Sequence, residues 1–265
     1  MKALVMESTL VLKLVLVPIL IGLVSVGERR WGPTISGWLI GLPLTAAPAV
    51  LILALDQGVS FAAKASQGTM LGYIAHGAFC LAYSWLSFRC KWLSTLLLGW
   101  SVFFAATVAL DNVSVHLIPC FIAVVGFLAL NLKLFPKVVQ EASRRKASSC
   151  QILIRMVAGA AIVLLITGVA PWLGPQLSGL LTTLPIYASV LAVSTHRLKG
   201  ANSAAQLLRG VVVGSLTAVM FFLVVAGVIE TLGIFPAFAL ATVISLAIHG
   251  CLFKTLVEPA RFRSK

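Results

Sequence analysis

Nine stretches of the chain are apolar for long enough to cross a bilayer, at about residues 8–26, 33–55, 66–88, 92–110, 114–133, 151–170, 175–195, 208–229 and 234–253. A hydrocarbon core needs roughly 20 apolar residues per helical crossing, and none of these runs shows the two-residue alternation of a half-buried strand. The ten-residue alternating segments of an outer-membrane barrel are missing as well. The pattern predicts an all-α integral membrane protein of about nine transmembrane helices. Charged or turn-forming residues interrupt the runs, among them Glu28-Arg29-Arg30, Asp56-Gln57-Gly58, Arg89-Cys90-Lys91, Asp111-Asn112 and the segment from Pro136 to Cys150. The first run is followed by Glu28-Arg29-Arg30 rather than a small-residue cleavage site, which predicts a retained helix.

The chain also resembles itself. Gly32 opens the stretch GPTISGWLIGLPLTA, and Gly174 opens GPQLSGLLTTLPIYA, at an offset of 142 residues without a gap. Between Gly32 and Gly72, thirteen of 41 aligned positions are identical, and they fall largely on Gly, Pro, Ala and Ser. The same offset pairs Gly58 with Gly200, Gly68 with Gly210, Gly72 with Gly214, and Lys13 with Arg155. Each copy holds four crossings, so equivalent helices stand five crossings apart and must run in opposite directions. The predicted organisation is repeat 1 over 1–113, a linking helix and basic loop over 114–150, repeat 2 over 151–255, and a tail over 256–265.

Crossings two and seven are predicted to be broken. Each opens on Gly-Pro, and proline suits the first helical position because its missing N–H has no helical partner there. Pro43 and Pro185 follow ten residues later, about 15 Å along the helix axis, which is near the midplane of a core about 30 Å thick. An internal proline removes one backbone bond and crowds the carbonyl four residues earlier, here Leu39 and Leu181. Such carbonyls are tolerated at membrane depth where they are buried in protein or line a cavity. With Pro43, Pro185 and the polar Ser36, Thr45, Ser178, Thr182, Thr183, Tyr187 and Ser189 they are the expected substrate-binding groups. The small-residue faces beside them, Gly58 to Gly72 and Gly200 to Gly214, suit close helix packing. Whether 58–67 and 200–209 are re-entrant or extend the next helices is open at this level.

Charge then orients the chain. The net charge is +13, yet the nine-helix count places sixteen Lys and Arg on one side, against only Lys2 and Lys64 on the other. The positive-inside rule puts the N-terminus outside and the C-terminus in the cytoplasm, in the cytoplasmic (inner) membrane, with no nucleic-acid role for the basic loops. Lys13 and Arg155 remain inside crossings at matching positions, as snorkelling side chains or as an anion-attracting pair of gates. No Asp or Glu stands at mid-helix, which argues against a metal-cation carrier and leaves His76 as the candidate coupling group. The cysteines show no metal-ligand spacing, and no nucleophile elbow or nucleotide loop is present, so neither a catalytic residue, a metal nor a cofactor is expected.

This plan resembles secondary carriers assembled from two inverted five-helix units, here without the last helix. The resemblance implies transport by alternating access and carries over no substrate or coupling ion. The expected function is movement of a small neutral or anionic organic solute; the alternatives are a lipid-handling membrane protein or enzyme, and a non-transporting scaffold. Expected partners are membrane lipids and a small-molecule substrate, with a homodimer left open.

Overall fold

A computed structural model describes residues 19, 33–43, 45–113, 115–137, 153, 157, 161 and 172–252, without the side chains of 33–36 and 252. The first and sixth predicted crossings fall outside these residues, apart from Ile19, Leu153, Val157 and Ala161, as do the loop over 138–150 and the tail. Every described element is a helix: α1 (Pro33–Ile40), α2 (Ala46–Gln57), α3 (Val59–Leu86), α4 (Trp92–Asp111), α5 (Leu117–Leu134), α6 (172–182), α7 (Ile186–Leu232) and α8 (Ile234–Leu252).

Proline and glycine set the boundaries. Pro33 opens α1, and Pro175 follows Gly174, whose φ of +74° lies in the left-handed region that glycine enters freely. Gly58 separates α2 from α3 at φ 91° and ψ 172°. Gly200 interrupts α7 in nearly the same conformation, φ 85° and ψ 176°. Beyond these two glycines the helices are continuous, so 59–67 and 201–209 extend the helices that follow.

Four helices among the described residues are long and apolar enough to cross a membrane: Trp92–Asp111, Leu117–Leu134, the broken Trp172–Leu232, and Ile234–Cys251. In Trp172–Leu232, 61% of the most apolar window is buried within the protein, against 22% in each of the other three. The broken helix is therefore central and the others peripheral, with Leu97, Val108, Ile122, Phe235 and Val243 turned outward. The core forms where α3 meets the second arm of α7, from Met70, Phe79 and Tyr83 on one side and Leu208, Val211 and Phe222 on the other. Asn131 of α5 donates to the Gly77 carbonyl at 2.9 Å, and Gln176 of α6 donates to the Leu110 carbonyl at 3.1 Å. Gln67 of α3 donates to the Val115 carbonyl, so side-chain amides tie the α4–α5 hairpin to the core.

The short helices pack crosswise. Gly37 of α1 lies against the backbone of Leu207 and Val211 in α7, and Gly179 of α6 lies against the backbone of Ala65 and Thr69 in α3. Gly41 abuts Gly214, while Thr183 abuts Gly72. Adding 142 to Gly37 or Gly41, and subtracting 142 from its partner in α7, turns the first contact of each pair into the second. At these places helix backbones approach so closely that only hydrogen fits.

Charge is separated along the bundle. Six of the eight described cations, Arg89, Lys91, Lys133, Lys137, Arg197 and Lys199, lie at the end where α3 and α5 finish and α4 begins. Trp85 donates to the Leu134 carbonyl there at 3.0 Å, and the Arg197 guanidinium stacks 5.2 Å from the Trp92 ring centre. Asp56, Asp111 and Glu230 lie at the ends of α2, α4 and α7 on the opposite side.

Candidate functional site

Both predicted breaks are present as backbone features. After α1, Leu42 N–H donates to the Leu39 carbonyl at 3.2 Å, and after α6, Leu184 N–H donates to the Leu181 carbonyl at 3.1 Å. The helix then resumes with Ala47 N–H on the Pro43 carbonyl at 2.8 Å and Ser189 N–H on the Pro185 carbonyl at 2.7 Å. These are the same turns at the 142-residue offset. The Leu39 and Leu181 carbonyls, which the prolines deprive of their ordinary partners, thus each close a tighter three-residue turn. A chain that has lost one i→i+4 bond recovers part of it this way.

The breaks meet around a cavity of about 30 Å³, room for about two waters. Its wall is built in pairs at the same offset. Ile40 and Thr182, Gly41 and Thr183, and Leu42 and Leu184 come from the breaks themselves. Thr45 with Tyr187 and Ala46 with Ala188 come from the helices that restart. Tyr73 of α3 and Ser215 of α7 complete the series. The two further wall residues, His76 and Pro185, have no offset partner on the wall; the position equivalent to His76 is Ala218.

Hydrogen bonding gives this wall a direction. Thr183 Oγ1 donates to the Leu180 carbonyl at 2.8 Å, Thr182 Oγ1 to the Gly179 carbonyl at 2.6 Å, and Ser215 Oγ to the Val211 carbonyl at 2.9 Å. Thr69 Oγ1 stands 3.0 Å from Thr182 Oγ1, behind the wall. His76 Nδ1 lies 2.9 Å from the Thr183 carbonyl oxygen. A carbonyl can only accept, so Nδ1 carries the proton, and in the neutral ring Nε2 presents its lone pair. His76 thereby supplies a donor to a carbonyl stranded at the second break.

Of the sequence-predicted residues, Thr45, Thr182, Thr183, Pro185, Tyr187 and His76 stand on the cavity wall. Pro43 is half-buried within the first break, and Leu39 packs against Val213. Ser178 is buried in α6 and Leu181 half-buried there. Ser189 is buried and accepts a 2.8 Å bond from the Trp100 indole N–H. The side chain of Ser36, and Lys13 and Arg155 entirely, lie outside the described residues. Sequence reasoning missed Tyr73 and Ser215. Each directly follows a paired glycine, Gly72 or Gly214, that patterning marks only as a packing position.

Comparison of the chain with protein-family models, curated proteins and solved structures returned no match.

Proposed function

We propose that the chain is a membrane transporter for a small organic solute, with its site at the cavity where the two helix breaks meet. The observation that carries this reading is the composition of the wall, in which twelve of fourteen residues form six pairs at one sequence offset. A cavity shared equally by two copies of one unit lies where an inverted repeat would have its symmetry axis. Exchanging the conformations of the two copies then opens the same site to the opposite side of the membrane. Nine crossings and an odd spacing between equivalent helices supply the inversion. The crosswise glycine contacts and the matched turns at Gly58 and Gly200 support the repeat independently of the residue identities. The charge separation along the bundle supports the basic end as cytoplasmic.

Cysteine accessibility tests the proposal. Thr45→Cys and Thr183→Cys, each in a chain freed of its five native cysteines, are expected to react with a membrane-impermeant methanethiosulfonate. Labelling should be measured from each side in right-side-out and inverted vesicles. Reaction of both positions, with the favoured side changing when the protein turns over, is the expected result. Cysteines that stay unreactive from both sides would mark a sealed contact and a non-transporting scaffold.

A further inference from the structure

We infer that the cavity admits uncharged solutes that donate hydrogen bonds and rejects anions, a narrowing that rests on the transport reading above. Two wall hydroxyls, on Thr183 and Ser215, commit their hydrogens to the carbonyls of Leu180 and Val211, while Thr182 also shares a bond with Thr69. What those two turn toward any further partner is oxygen lone pairs. His76 does the same through a different group, because Nδ1–H is held by the Thr183 carbonyl and Nε2 is left as an acceptor. The wall is thus biased toward acceptance by three side chains, drawn from two helices and a break. The hydroxyls of Thr45, Tyr73 and Tyr187 can take either role.

Charge selects further. Among the described residues, no Asp, Glu, Lys or Arg lines the cavity. Against the described wall an anion would meet lone pairs without a compensating cation. A group of N–H or O–H donors meets complementary partners on several sides. The matching chemistry is a small neutral amide or polyol, in which donors outnumber charges. Lys13 and Arg155 lie outside the described residues.

Counterflow in proteoliposomes tests the inference with a matched pair, lactamide and lactate, which share a skeleton and differ in whether the end group donates or is anionic. Labelled tracer uptake is measured against an opposing unlabelled load, with protein-free liposomes as the blank. Lactamide is expected to exchange and lactate is not. Ser215→Ala, which deletes an acceptor, is expected to lower lactamide exchange about fivefold without altering elution in size-exclusion chromatography. Exchange of lactate in preference to lactamide, or of neither, overturns the inference. The cysteine measurement separates the two readings. Accessible Thr45→Cys and Thr183→Cys combined with lactate exchange leaves the carrier standing and removes only the selectivity; sealed cysteines remove both.

Discussion

Gly179→Ala is expected to prevent recovery of a folded, monodisperse protein from detergent, and Gly37→Ala is expected to do the same. A Cβ at Gly179 would strike the Ala65 carbonyl and approach the Thr69 amide; one at Gly37 would strike the Leu207 carbonyl and the Val211 amide. In both cases the obstacle is the backbone of a long helix, which cannot rotate away as a side chain can. Overpacking against a core usually costs about 1–3 kcal/mol, and a helix–helix contact that must separate lies at or beyond the top of that range. Fluorescence-detected size-exclusion chromatography across a temperature series measures the effect. Gly126→Ala is the control, because nothing lies within 4 Å of its added Cβ, and a helix interior gains up to about 1 kcal/mol from alanine over glycine. Equal behaviour of Gly179→Ala and Gly126→Ala would refute the crosswise packing.

The second large effect falls on His76. Replacing it with leucine leaves the Thr183 carbonyl without the imidazole donor, and a buried group stripped of its partner costs about 1–3 kcal/mol. His76→Leu is therefore expected to lower the melting temperature by several degrees, at about 2–4 °C per kcal/mol for a chain of this length. It is also expected to abolish solute exchange, because an apolar side chain replaces a wall acceptor. His76→Asn separates the two roles. Its amide N–H can take the place of Nδ1–H and restore most of the melting temperature, but it offers nothing where Nε2 stood. Transport through His76→Asn at the unmodified rate would reduce the histidine to a structural brace.

Both predictions show what patterning could and could not read. Pro43, Pro185, Gly58 and Gly200 were legible because glycine and proline have local backbone consequences that hold in any solvent. The breaks, the turns and their offset follow from them. The membrane character was legible from run length alone, as α4, α5 and α8 illustrate. Which side of each helix faces inward was not. In water an inward face is marked by apolar residues alternating with polar ones, but in lipid both faces are apolar and the periodicity fades. Tyr73 and Ser215 were lost for that reason, each one residue from a glycine that was noticed. Leu39 and Leu181 illustrate the opposite case. The proline rule identified the affected carbonyls correctly, yet it could not foresee that the chain would tighten to satisfy them, because that choice depends on Leu42 and Leu184 being free to turn.

The central position of α3 has a consequence for how the protein is made. Val59–Leu86 carries Ser60, Lys64, Ser66, Gln67, Thr69, His76 and Ser84 along 28 residues, and it is not among the four helices apolar enough to cross by themselves. Gln67, Thr69 and His76 find partners in the loop before α5, in α6 and at the second break, all of which the ribosome delivers later. Nascent chains that end near Lys91 should slip out of the bilayer or be degraded, whereas chains extended through α7 should retain α3. Biogenesis then has a built-in delay, in which the segment at the heart of the bundle becomes secure only after α7 has been made.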